Sequence, residues 1–195
     1  ASREEISQRI EELTQSEQVL AQEILPELNL TSSLQGQIQE QVATGGILKQ
    51  QWPNFGTYER WRELQEYYFL PRVKGVFQFL RQHLSVPEEA SLWIGSHEKK
   101  LEAAFQAIAS VYQNTAAQQS AQIKARVSSV DSDWAEAATL SQMAIRALRS
   151  TRGITTVLVG MRQESYVEDV LEELSRPVGP EEKTESWYKL REQPL

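Results

Sequence analysis

Apolar residues recur along this chain at three- and four-residue steps almost from end to end. Ile6, Ile10, Leu13, Leu20 and Ile24 form one stripe, the pattern of an amphipathic helix of about twenty residues. Ser2 followed by Glu5 reads as a capping box at its start, and Pro26 ends it. Ser32 or Ser33 can cap a second helix carrying Leu34, Ile38 and Val42, stopped at Gly45-Gly46. Trp52-Pro53-Asn54-Phe55-Gly56 reads as a turn. Thr57 then caps a helix to about Phe69, with Tyr58, Trp61, Leu64 and Tyr68 on one side. Leu70-Pro71 breaks or kinks it. Val73, Val76, Phe77, Leu80 and Leu84 predict the next helix, and Ser85-Val86-Pro87-Glu88 starts a short helical turn. Gly95-Ser96 marks a boundary, with Ser96 capping a helix that carries Leu101, Ala104, Phe105, Ile108 and Val111.

Residues 114–132 are rich in Gln, Ala and Ser and predict a helix only around 121–127. Asp131 or Ser132 caps a helix over 134–149, with Ala138, Leu140, Met143, Ala144 and Leu148 on its apolar side, closed by Thr151-Arg152-Gly153. Then the period changes. Residues 154–159, Ile-Thr-Thr-Val-Leu-Val, are the one clear strand signal. Gly160, Met161 and Arg162 lead into a helix from Glu164 to Leu174, and from Pro177 the chain reads as a tail with a turn near Trp187-Tyr188-Leu190. The total is seven or eight helices and one strand, with no long-period repeat. One strand cannot satisfy its own ladder groups. Residues 154–159 therefore either pack irregularly or find their neighbours outside this chain.

Composition narrows the function classes. The chain has 195 residues, 40% of them hydrophobic, with five Trp, six Tyr and five Phe, enough for a real core. Its net charge of −7, without a basic run, argues against nucleic acid or an anionic membrane as partner. There is no Cys, which removes disulfides, thiolate metal sites and a cysteine nucleophile. His83 and His97 stand without a second metal ligand at helical spacing. No Ser-centred hydrolase motif or glycine-rich phosphate loop occurs. No apolar run reaches the ~18 residues of a membrane helix. The polar start, Ala1-Ser2-Arg3-Glu4-Glu5, shows no signal-peptide pattern, and a cytoplasmic protein is expected. Ala1 stands where a Met would open a gene, so a processed chain or part of a longer one is expected. The doublets Glu4-Glu5, Glu11-Glu12 and Glu172-Glu173 are expected on solvated helix faces. The aromatics Trp52, Phe55, Tyr58, Trp61, Tyr67, Tyr68 and Phe69 are expected in the core, with a recognition surface beside Arg60 and Arg62 as the alternative.

The candidate chemistry lies at the change of period. A strand ending in a glycine turn at a helix start exposes free N–H groups where an anion can sit. The run Leu140-Ser141-Gln142 through Ser150-Thr151, then Gly153-Ile154-Thr155-Thr156-Val157-Leu158-Val159-Gly160-Met161-Arg162 and Tyr166-Val167-Glu168-Asp169-Val170-Leu171, resembles the C-terminal end of aldo/keto reductases, most closely cyanobacterial and plant members. The resemblance covers residues 135–178. Val170 and Glu164 depart from the family's usual residues at their positions. The resemblance implies that 154–159 is the eighth strand of a (β/α)8 barrel and that the element binds the 2′-phosphate of NADP. Gly160 would be the strand-end glycine and Arg162 the phosphate contact, with Tyr166 and Asp169 near the adenine. The family's catalytic Asp, Tyr, Lys and His find no counterparts here. Lys74, Tyr67 and Tyr68 sit on helices without family motifs, and no catalytic residue or metal ligand is assigned.

The fold class expected is thus mainly α, a multi-helix bundle with one isolated β-segment at 154–159. That segment would be the last βα unit of a barrel whose other units are absent. Three regions are expected: a helical region 1–134, a reductase-like helix–strand–helix 135–178, and a tail 179–195. The function expected is that of the C-terminal portion of an NADP-dependent oxidoreductase acting on a carbonyl, its partner the remainder of its own chain. The alternative is a non-catalytic helical domain for protein contacts.

Overall fold

Helix periodicity carries through most of the chain. The computed structural model describes residues 1–83, 88–161 and 164–192. Among these are ten α-helices: α1 (Arg3–Val19), α2 (Ser32–Val42), α3 (Gly45–Gln51), α4 (Tyr58–Leu64), α5 (Leu70–His83), α6 (Glu88–Val130), α7 (Ser132–Ala135), α8 (Leu140–Arg149), α9 (Glu164–Leu174) and α10 (Thr184–Glu192). The chain divides into two units, residues 1–116 and 117–195, and α6 runs through the boundary.

In the first unit the expected stripes bury. Ile6, Ile10, Leu13 and Leu20 meet Ile38, Val42, Leu48, Phe77, Leu80, Ile94 and Ile108 in one core. Trp61 is its aromatic centre, stacked on Phe55 and set edge-on to Phe105. Tyr112 ties this centre to the preceding turn: its hydroxyl donates to the Trp52 carbonyl and accepts from the Phe55 N–H. Trp52, Trp61 and Phe69 are buried, as core aromatics should be, whereas Tyr67 is 74% exposed. Glu17 on α1 accepts from the N–H groups of Thr44 and Gly45 at 2.8 Å each, so one carboxylate caps the start of α3. Its burial pushes its pKa up despite those two donors. Gly45 is required there, because a Cβ would stand 2.3 Å from Thr14 Oγ1. Gly45 therefore opens α3 and does not merely stop α2.

Two expected breaks are absent. Pro71 does not interrupt its helix; a π-helical turn, Gln65–Phe69, precedes it and α5 follows directly. Such a turn shifts the carbonyl that a proline ring would strike. A similar π turn, Leu20–Ile24, leads to Pro26. Gly95-Ser96 does not divide α6, which continues through the Gln- and Ala-rich stretch as well. A single helical glycine costs only ~1 kcal/mol, and Trp93, Ile94 and His97 around it are buried. The Leu84 position and the turn at residues 85–87 lie outside the described residues.

The second unit has its own core. Val127 of α6 packs with Trp134, Ala137, Met143 and Ala147, and with Trp187 and Leu190 against them. Asp131 caps α7, and Thr139 caps α8. The single helix expected over 134–149 is thus two, parted at residues 136–139. The tail beyond Pro177 is ordered into α10, with Trp187 Nε1 donating to Thr151 Oγ1 and the Trp187 ring 4.7 Å from that of Trp134. The expected strand requires the main correction. Residues 154–160 lie in no strand, and among the described residues the one β-bridge is Thr151 with Glu181. Their backbone groups have no ladder partner, so the β-branched run cannot become a sheet within these residues.

Candidate functional site around residues 154–174

Helix α8 sets the site from below. Thr139 and Gln142 form its cap: Thr139 Oγ1 accepts from the Gln142 N–H, and Gln142 Oε1 accepts from the Ala138 N–H. The Gln142 side chain is fully buried and also donates to the Asp169 carbonyl and the Glu172 carboxylate. It therefore sews the start of α8 to α9. At the far end of α8, Arg149 donates to the Glu173 carbonyl at 2.7 Å and to the Arg176 carbonyl, closing the C-terminus of α9 with positive charge.

Between these seams runs an ionic chain. Arg146, 5% exposed, reaches Asp133 at 2.6 Å, Glu136 at 3.1 Å and Glu173 at 3.3 Å. Burial alone would lower the Arg146 pKa, but the hydrogen bond and charge of Asp133, together with Glu173, hold it raised. Lys183 joins Asp131 at 3.1 Å and Glu181 at 3.4 Å. Burial opposes its charge too, and Asp131 outweighs that effect, so its pKa is raised. Asp131 is held below the usual carboxylate range: burial works against this, and Ser186 and Lys183 win.

The chain leaves α8 through Gly153, whose φ of +95° suits glycine, and runs across α8 and α9. Ile154, Thr155, Val157, Val159 and Met161 line a groove of about 490 Å³ with Ile145 and Arg149 of α8 and Val170 and Leu174 of α9. The alternate residues Thr156, Leu158 and Gly160 do not line it. From Thr155 to Met161 this is the two-residue alternation of an extended chain, which Ile154 does not join. Leu158 is 94% exposed, and Leu171 and Leu174 are also exposed.

The expected site residues are distributed as follows. Gly160 faces open space, with no atom within 4 Å of where a Cβ would stand. Tyr166 is exposed on the first turns of α9. Asp169 accepts the Thr139 hydroxyl at 2.9 and 3.1 Å, so it serves the seam between α8 and α9. Arg162 lies outside the described residues. No hydrogen bond joins Gly160, Tyr166 and Asp169 among the described residues. The buried network of Gln142, Arg146, Arg149 and Glu173 was not expected from the sequence. Its one legible signal is the capping box Thr139-Leu140-Ser141-Gln142. Among the described residues no group of three or more acidic or histidine side chains is arranged to hold a metal ion. No helix among them is long and apolar enough to cross a membrane.

No family model, no curated protein and no solved structure matches the chain.

Proposed function

We propose that this chain is the C-terminal portion of an NADP-dependent aldo/keto reductase, an oxidoreductase acting on a carbonyl, whose catalytic groups lie outside these residues. The observation that carries the reading is the groove in which Thr155, Val157, Val159 and Met161 lie along α8 and α9, with Leu158 94% exposed. A strand of a parallel barrel likewise has helices on one face and turns its other face to the barrel interior, where Leu158 would sit. The quoted resemblance of residues 135–178 supports the same assignment. Gly160 offers open space ahead of α9, and Arg162 would add a guanidinium to the N–H groups there. Glu164 in the first turn opposes an anion, so Arg162 must supply most of the attraction.

The test is steady-state carbonyl reduction by the protein expressed from its complete gene, with NADPH and NADH compared. A guanidinium–phosphate contact of about 1.5–3 kcal/mol makes Arg162→Ala raise the KM for NADPH about 10–100-fold. The KM for NADH should not change, because NADH has no 2′-phosphate. Equal changes for both cofactors would reject Arg162 as the phosphate contact. The absence of any NADPH-dependent reduction would reject the reductase reading.

A second reading, a helical unit for protein contacts without catalysis, is favoured by Tyr67 and Leu92, which are 74% and 67% exposed. Large apolar side chains of this kind serve as interface anchors.

A further inference from the structure

In the first unit, α2 and α5 enclose a groove of about 450 Å³, a size common to small-molecule sites. Leu34, Ile38 and Val76 give it apolar walls, and Gln37, Gln41 and Arg72 supply polar groups. Gly75 keeps it open. This residue lies inside α5, where glycine is less stable than alanine. No atom stands within 4 Å of where its Cβ would be, and its φ is not positive, so neither close packing nor a left-handed backbone asks for glycine. Because Gly75 lines the groove, a side chain there would fill it. Among the described residues, Arg72 is the one charged residue in the lining. It donates to Tyr68 Oη at 2.6 Å and to the Glu40 carbonyl at 3.0 Å, with its guanidinium carbon 4.9 Å from the centre of the Tyr68 ring. The π turn Gln65–Phe69 carries that tyrosine. The guanidinium is thus fixed in place, and no carboxylate among the described residues pairs with it. These two bonds leave the rest of its N–H fork unused.

We propose that this groove binds a small organic monocarboxylate with an apolar body. Its carboxylate would take the free N–H groups of Arg72 and the Gln37 and Gln41 amides, and its body would lie along Ile38 and Val76. One guanidinium with two neutral amides matches a single negative charge, whereas the second charge of a phosphate would have no partner. The C-terminal carbonyls of α2 disfavour an anion, and Arg72 covers the one at Glu40 by its own donation. The neighbouring groove between α5 and α6 does not carry the same argument. Lys74 lines it beside Glu98 and Glu102, so the carboxylates that repel an anion outnumber the ammonium. The proposal is independent of the cofactor reading.

Titration of 4-phenylbutyrate into the chain 1–195, followed by the side-chain amide NMR signals of Gln37 and Gln41, tests this. The uncharged 4-phenylbutanamide is the control. The expected result is saturable shifts of those signals, with affinity about 10–100-fold weaker for the amide. Arg72→Met should bring the affinity for the carboxylate down to that of the amide. Gly75→Leu should abolish binding without lowering the unfolding temperature, since leucine favours a helix over glycine. Should Arg72→Met fail to fold, the two probes on the unaltered chain and the Gly75→Leu variant still decide. No saturable shift, equal affinity for the two probes, or unchanged binding by Gly75→Leu would each overturn the proposal.

Discussion

At the residue scale, His97 shows how burial sets a pH dependence. It is fully buried, with Trp93 stacked 4.7 Å away, Phe77 edge-on, and Ser16 Oγ at 3.0 Å from Nδ1. Burial, with help from Lys100, pushes its pKa down to about 4 from the ordinary 6.5. Between those values the unfolded chain binds a proton that the folded chain refuses. The contribution of His97 to stability is therefore whole above pH 6.5 and falls as the pH drops toward 4. Its size is about 3 kcal/mol at 1.36 kcal/mol per pKa unit. Urea unfolding at pH 7 and pH 4.5 should show this loss, and His97→Phe should flatten the difference. An unchanged difference in His97→Phe would mean that the carboxylates, not His97, carry the acid sensitivity.

At the element scale, the ionic chain between α7, α8 and α9 should behave as one unit. Arg146→Met leaves Glu173 fully buried with Arg149 and the more distant Arg176 for company, and leaves Asp133 with the Lys183 ammonium 3.9 Å away. Removing one partner of a buried pair costs about 3–5 kcal/mol. Chemical unfolding followed by helical circular dichroism should show that loss. A loss below ~1 kcal/mol would place these groups among ordinary surface pairs. Elements of this kind were only half legible in the sequence. The stripes Ile6-Ile10-Leu13 and Val73-Val76-Phe77-Leu80 announce their helices because each buries one face. The Thr57 cap is legible because its hydroxyl has a local partner, the Arg60 N–H. The continuity of α6 past Gly95 is not legible, since packing around Ile94 and His97 decides it and local propensity does not. Neither is the π turn before Pro71. The tail hides α10 because its anchors are remote: Lys183 meets Asp131, and Trp187 meets Thr151.

At the scale of the whole molecule, a helical unit with its own core, residues 1–116, precedes a second unit whose seams and salt links hold α8 and α9 beneath residues 154–161. The candidate site is legible in sequence as a change from helical to strand period and as a resemblance. The lack of a pairing partner is legible too, as the want of a second strand signal. What the sequence does not reveal is the Gln142, Arg146 and Glu173 network beneath the segment, whose partners are distant in the chain. The central claim is that Arg162 and Gly160 mark the edge of an adenosine 2′-phosphate site. Its most direct measurement is calorimetric titration of adenosine 2′,5′-bisphosphate, the phosphate-bearing half of NADP, into the complete gene product and its Arg162→Ala variant. The account predicts saturable binding weakened about 10–100-fold by the substitution. Equal affinity for both proteins, or no binding to either, would contradict it.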